Sequence, residues 1–96
     1  LLVLLVGVQF LLGNVIDHGC DPQEAIDMPR AFLVDGSYGL EEGIPETAAK
    51  ELARRGHPVR RVDAPWGGGQ MIRVDWENGT YSAGSDPRKD GCALAY

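Results

Sequence analysis

Apolar residues fill the first twelve positions of the chain except Gly7 and Gln9, and the block stays almost wholly apolar until Asn14. Residues 3–6 are short and partly β-branched, which predicts a strand. Residues 9–18 predict a helix stopped by Gly19. A block with so little polar face has to be covered on both sides, which places it in the middle of a layered fold. The next helix is signalled by Asp21 as N-cap, Pro22 at the first helical position and Glu24 three residues after the cap. Ala25, Ile26 and Met28 give it apolar contacts and Pro29 ends it. Such a short helix would not hold alone.

Residues 31–34, Ala-Phe-Leu-Val, predict a strand closed by the Asp35-Gly36 turn. Residues 45–55 form the clearest helical segment, with Pro45 at its first position, Gly56 as C-cap and Arg54 and Arg55 at the negative end of the dipole. Ile44, Ala48 and Leu52 recur every four residues as a narrow buried stripe. Glu46–Lys50 and Glu51–Arg55 are i,i+4 pairs worth about 0.3–0.5 kcal/mol each, leaving the other face wet. After His57 the pattern turns to β. Val59 and Val62 lie in a strand-like stretch broken by Pro65. Across residues 71–76, Ile72, Val74 and Trp76 point one way, Arg73 and Asp75 the other. Glu77-Asn78-Gly79-Thr80 signals a hairpin, because Asn-Gly tolerates the positive φ angles of a tight turn, and residues 81–83 return antiparallel. The order implies an α+β layered arrangement with helices outside.

At 96 residues the chain is one small domain or part of a larger one, and its 44% hydrophobic content argues against disorder. A net charge of −5, from 14 acidic and 9 basic residues, argues against a nucleic-acid partner. Residues 1–53 carry nine acids with only Arg30 and Lys50, whereas residues 54–96 carry seven bases and five acids. That second half suits a solvated face, with a docking surface for an acidic neighbour as the alternative. The opening apolar run of eight residues is too short for a membrane span of about 20. No basic leader precedes it as a signal peptide requires. The chain opens on Leu1 rather than methionine, so the parent N-terminus is expected elsewhere.

Candidate chemistry is sparse. Gly67-Gly68-Gly69 would cradle phosphate only with a strand before and a helix after. Here a strand follows, so the glycines suit a flexible approach into the hairpin or close backbone contact with a neighbour. Asp17 and His18 could be an acid–base dyad, but adjacent helix residues do not face each other. His57 precedes Pro58 in an extended context. Both histidines are expected to be structural. Ser37, Ser82 and Ser85 lack the Gly-x-Ser-x-Gly elbow of serine hydrolases. Cys20 and Cys92 allow one disulfide, yet nothing brings them together, and both are expected as buried thiols. With His18 and His57 they would make a zinc set on paper, without the CxxC or HxxxH spacing that such sites use. Asp86-Pro87-Arg88 predicts a turn whose carboxylate bonds the following amides, with Arg88 available to a buried carboxylate.

Several stretches occur in an order that points to one family. They are Asn14-Val15-Ile16-Asp17-His18-Gly19, Gln23-Glu24-Ala25-Ile26-Asp27 with Pro29-Arg30, Glu41-Glu42-Gly43-Ile44-Pro45 and Arg55-Gly56-His57-Pro58-Val59. Gly68-Gly69-Gln70 and Ser85-Asp86-Pro87-Arg88 complete the series. Over residues 9–96 the chain resembles the C-terminal part of the small subunit of the γ-glutamyltranspeptidase (glutathione hydrolase) family. The resemblance implies an N-terminal-nucleophile hydrolase, an αββα sandwich of which residues 1–96 are a C-terminal segment. Such a protein is made as a precursor that cleaves itself into two subunits. The new N-terminal threonine attacks a γ-glutamyl amide such as that of glutathione, with its own α-amine as base, and water or an amino acid takes the acyl group. No metal or organic cofactor is implied. The implied partners are the remainder of the small subunit, the large subunit and a γ-glutamyl small molecule, with no nucleic acid and no membrane span in this segment. Family members are often periplasmic, secreted or surface-anchored.

The departures are specific. In the family, the stretch before the helix at Gln9 carries a glycine pair whose amides stabilise the oxyanion, donors commonly worth ~10²–10³ in turnover. Residues 1–6 offer nothing similar, and Gly13 looks like an extra residue within a helix. Leu1 has no hydroxyl or thiol to attack with. The threonine, the substrate-clamping arginine and the oxyanion groups all map upstream of Leu1. No catalytic, cofactor-binding or metal residue is therefore assigned within this chain, and the segment alone is expected to be inactive. A catalytically silent relative acting as an interaction module is the alternative, and related acylases that hydrolyse other amides stay open.

Overall fold

In the computed structural model, residues 2–64 and 66–95 are described. In chain order the elements are α1 (Leu2–Ile16), α2 (Pro22–Asp27), β1 (Ala31–Val34), β2 (Ser37–Leu40), α3 (Glu46–Arg54), β3 (Val59–Arg61), β4 (Gln70–Asp75) and β5 (Thr80–Ser85). They fall into two compact units, one built from the residues up to 28 and from 66 onward, the other from the residues between.

In the first unit α1 is a single helix, so the strand expected at residues 3–6 is helical. No described strand pairs with it. A leucine-rich run left without a strand partner closes its own backbone hydrogen bonds as helix. It ends at Ile16 rather than His18, where the Cys20 N–H reaches back to the Asn14 carbonyl at 3.0 Å. The helix is covered on one side only. Asn14 is buried and its Nδ2 donates to the Ala25 carbonyl at 3.1 Å, tying α1 to α2. Leu4, Leu5, Val8, Leu12 and Ile16 are exposed. The sandwiched position expected for this block is thus half supplied within the chain.

α2 begins as the sequence predicts. The Glu24 N–H donates to Asp21 Oδ1 at 2.8 Å and the Asp21 N–H donates to Glu24 Oε2 at 3.0 Å, a complete capping box. Its Ala25 and Ile26 form the centre of this unit, Ile26 fully buried. β4 and β5 pair antiparallel from Gln70↔Ser85 to Asp75↔Thr80. Gly84 on β5 lies so close to Pro22 that a Cβ there would sit 2.8 Å from the proline carbonyl, so only glycine lets ribbon and helix touch. The opposite face carries Ile72 and Val74 with Tyr81, in the alternation expected, but it is open: Ile72 is 70% exposed and Tyr81 75%.

The β4–β5 loop, residues 76–79, differs from a two-residue Asn-Gly turn. Only Gly79 takes a positive φ, 65°. Asp75 Oδ1 captures the Glu77 and Asn78 N–H groups at 3.0 Å each, winding the loop one residue pair longer.

The second unit is a three-stranded sheet in the order β1-β2-β3. β1 and β2 form a hairpin from Ala31↔Leu40 to Val34↔Ser37, closed by Asp35 (φ 49°) and Gly36 (φ 79°), the two positive angles of a type I′ turn. β2 then pairs parallel with β3, a connection that needs a crossover, which α3 provides. Phe32, Leu40 and Ala49 are its buried apolar residues. Pro45 is the N-cap of α3 rather than its first helical residue. Ala49, not Ala48, is the buried alanine, with Ile44 and Leu52 half-buried. The Glu51–Arg55 pair forms at 2.8 Å, whereas Glu46 turns to Arg61 at 3.0 Å instead of Lys50.

Candidate functional site

The glycine approach to β4 and the turn after β5 meet beside α2. Asp86 Oδ2 accepts the Gly69 N–H at 2.8 Å, and its Oδ1 accepts the Arg88 N–H at 2.9 Å and Arg88 Nη1 at 3.1 Å. The Asp86 residue is 1% exposed. Burial pushes its carboxyl up, but the Gly69 amide, the Arg88 amide and the Arg88 guanidinium together outweigh burial and hold it below the usual carboxylate value. The same guanidinium closes the end of α2: Nη1 donates to the Ile26 carbonyl at 2.7 Å and Nη2 to the Met28 carbonyl at 2.9 Å. Those carbonyls are among the acceptors a helix end leaves unsatisfied. The turn expected at Asp86-Pro87-Arg88 is therefore present, and the carboxylate that Arg88 finds is its neighbour's.

A second fastening lies at the other end of α2. Gln23 Nε2 donates to the Ser85 carbonyl at 2.9 Å and Gln23 Oε1 accepts the Ser85 N–H at 3.0 Å, so one side-chain amide mimics a strand partner. The Ser85 hydroxyl itself is buried without a hydrogen-bond partner among the described residues. It and the Gln70 amide nitrogen lie 2.9 and 3.1 Å from where a Cβ on Gly91 would be.

The second unit holds a buried ion pair of its own. Arg30 Nη2 meets Glu41 Oε1 at 2.7 Å, Arg30 Nε meets the same oxygen at 2.9 Å, and Glu41 Oε2 accepts the Arg30 N–H at 3.0 Å. The guanidinium also lies 5.1 Å from the Phe32 ring centre. Arg61 holds the turn before α3 through the Glu41 and Ile44 carbonyls at 3.0 and 2.7 Å.

The remaining candidates do not converge. Asp17 and His18 are both exposed beyond the end of α1. His57 stands edge-on to Tyr38, ring centres 5.4 Å apart, as a structural histidine would. Ser37 Oγ donates to the Val34 carbonyl at 3.2 Å across its hairpin. Cys20 and Cys92 are free thiols. Cys20 is half-buried beside Met28 and Cys92 is exposed, which corrects the expectation that both are buried. Cys92 lies after β5, outside the described helices and strands. Among the described residues no three His, Cys, Asp or Glu side chains converge on a metal-sized site, and no histidine is hydrogen-bonded to a serine or cysteine. No described helix is long and apolar enough to cross a membrane. Within Gly67-Gly68-Gly69 the last two serve close contact: a Cβ on Gly69 would lie 2.9 Å from Leu11, one on Gly68 2.5 Å from Lys89, whereas Gly67 has open space around it and takes a positive φ of 64°. The arrangement fastens a β-ribbon to a helix; its described side chains include no assembled nucleophile and base.

What this chemistry leaves open, likeness to known proteins narrows. Residues 6–96 match the family model described as Gamma-glutamyltranspeptidase. The chain is similar to the acylase ACY 1 proenzyme of Pseudomonas sp. (strain V22), with 39% identity over 82 residues, covering 85% of this chain and 14% of that protein. It is 30% identical over 80 residues to the glutathione hydrolase proenzyme of Bacillus subtilis (strain 168), covering 82% of this chain and 14% of that protein. Among solved structures, the cephalosporin acylase of Bacillus halodurans superposes with a TM-score of 0.88 at 35% identity, covering 94% of this chain and 17% of the acylase chain. The chain thus spans about one seventh of the length of these curated relatives.

Proposed function

Because the chain belongs to the gamma-glutamyltranspeptidase family, we propose that it is a bracing segment from the C-terminal part of a small subunit in a γ-glutamyltransferase or glutathione hydrolase. The reaction is cleavage of a γ-glutamyl amide and transfer of the acyl group to water or an amino acid. An N-terminal threonine outside this chain is the nucleophile. The chain's part is to hold the layers that carry the reacting groups. The observation that supports this reading is the open apolar side of α1, where Leu4 is 66% and Ile16 73% exposed. Such a face requires a cover, and the remainder of a polypeptide as long as the relatives' is the occupant proposed.

A second reading concerns the substrate. Identity is higher to the ACY 1 acylase, 39%, than to the Bacillus glutathione hydrolase, 30%. That favours an acylase acting on an amide other than γ-glutamyl.

One experiment separates these. The chain is produced alone and as part of the longer polypeptide that contains it, and both are assayed with a γ-glutamyl anilide and with an acylated cephalosporin. The chain alone is expected to release nothing and the longer polypeptide to turn over one of the two. Turnover by the chain alone sinks the bracing role, and preference for the cephalosporin amide selects the acylase reading.

A further inference from the structure

Asn78 stands directly before Gly79 in the exposed loop that joins β4 to β5. Nothing in the bracing role uses it. An asparagine followed by glycine has a reaction open to it without any enzyme, because no Cβ on the next residue shields the backbone nitrogen. We propose that Asn78 is a site of spontaneous conversion to aspartate and isoaspartate, and that the Asp75 side chain is the latch that sets its pace.

The step balances within the chain and water. The Gly79 backbone nitrogen attacks Cγ of Asn78, forming a new C–N bond and closing a five-membered imide. The Cγ–Nδ2 bond breaks, and the proton lost from the Gly79 nitrogen leaves with Nδ2 as ammonia. Water then opens the imide. Opening at Cγ yields aspartate, and opening at the backbone carbonyl yields isoaspartate. No oxidant or reductant takes part.

Asp75 restrains both ends of the reacting residue. Its Oδ2 accepts Asn78 Nδ2 at 2.8 Å, and its Oδ1 accepts the Asn78 N–H at 3.0 Å. The Glu77 N–H shares Oδ1 at 3.0 Å. For Cγ to swing onto the Gly79 nitrogen, the Nδ2 bond has to break. The Asn78 side chain, its amide, and the nearby Glu77 amide and Arg73 hold the Asp75 carboxyl below its usual value against a weaker upward push from burial, so the acceptor is ionised at neutral pH.

The product matters more than the loss of an amide. A carboxylate at residue 78 would face the Asp75 carboxylate where a donor used to be, and like charges at that range repel. Isoaspartate also lengthens the backbone of the loop by one carbon, which loosens the Asp75↔Thr80 register. That register aligns Val74 with Tyr81 on the open apolar face. The modification therefore disturbs the open apolar face of the ribbon.

The test is peptide mapping by mass spectrometry after incubation at neutral pH, with isoaspartate counted enzymatically. The native chain, the Asp75→Ala chain and the native chain in concentrated urea are compared, each within the polypeptide in which it is isolated. Asn14, buried and followed by β-branched Val15, is the internal control. Conversion is expected at Asn78, about tenfold or more faster in urea than in the folded chain, as loss of two or three hydrogen bonds allows. Asp75→Ala should approach the urea rate with an unchanged far-ultraviolet spectrum. Should that variant unfold, Asp75→Asn keeps one oxygen acceptor and should convert at an intermediate rate. No conversion in urea overturns the site. Equal rates for the native chain and the folded variant overturn the latch.

Discussion

Arg88 Nη1 lies 3.1 Å from Asp86 Oδ1 and 2.7 Å from the Ile26 carbonyl, so one guanidinium nitrogen joins the turn after β5 to the end of α2. Three separate stretches of the first unit depend on that pair, counting Gly69, whose N–H takes the other carboxylate oxygen.

Removing the cation exposes the cost of the anion. Arg88→Ala leaves Asp86 buried with two amide donors and no charge partner, and strips two carbonyls of their donor. Breaking a buried pair from one side costs about 3–5 kcal/mol, and the surviving amides place this case toward the lower end. Arg88→Lys keeps the charge without the two-pronged reach and should recover only part of the loss. Urea unfolding of the polypeptide holding each variant checks this, and an unchanged midpoint for Arg88→Ala contradicts it.

The same carboxylate predicts an acid limb. A group depressed on folding contributes stability that is fully present above its unfolded value, about 3.9 for aspartate, and is lost as pH falls through the lower folded value. Melting temperature should therefore drop below that unfolded value, and the drop should flatten in Asp86→Asn. Asp75 and Glu51 are also depressed, Asp75 chiefly by Asn78 and Glu51 chiefly by Arg54, but both are exposed to solvent screening. Asp75→Asn and Glu51→Gln should leave most of the limb in place. A limb that survives Asp86→Asn unaltered assigns it elsewhere.

Two neighbours on β5 should respond oppositely to small changes. Gly84→Ala drives a methyl to within 2.8 Å of the Pro22 backbone, which cannot yield like a side-chain tip, and overpacking of this kind costs about 1–3 kcal/mol. Ser85→Ala removes a buried hydroxyl that has no partner among the described residues, and should be neutral or stabilising by up to about 1 kcal/mol. Thermal melts of the two variants give the comparison directly, and a destabilised Ser85→Ala would reveal a partner for the hydroxyl.

The parts legible in the sequence are those decided by neighbours along the chain. Asp21 with Glu24 fixes the start of α2 within four residues, and Asp35-Gly36 can satisfy a type I′ turn with no help from elsewhere. β2 was not legible, because Ser-Tyr-Gly-Leu has weak strand propensity. It becomes a strand by lying between β1 and β3, with Gly39 allowing Val62 to close over it. α1 misled for a related reason: an apolar run is compatible with both strand and helix until the absence of a strand partner decides. The fastening of Gln23 to Ser85 spans 62 positions and that of Gly69 to Asp86 spans 17. Only the Asp-Pro-Arg turn hinted at the second, and nothing local announces the first. The α+β class and the family were recoverable from short motifs in order, whereas the reacting groups were not, since the described side chains hold no nucleophile beside a base.

The open side of α1 yields the sharpest test of the bracing role. Leu5, Val8, Leu12 and Ile16 line one continuous shallow groove along the helix. If the rest of a longer polypeptide covers it, Val8→Glu and Leu12→Lys should act in opposite senses in two settings. In the chain alone, each breaks an exposed apolar surface and should reduce association, read as a smaller sedimenting species. In the longer polypeptide, each buries an unpaired charge, costing several kcal/mol, and should abolish soluble expression or maturation. Soluble, mature and active longer polypeptide carrying both charges would mean that nothing packs on this face, and the role assigned to the chain would fall with it.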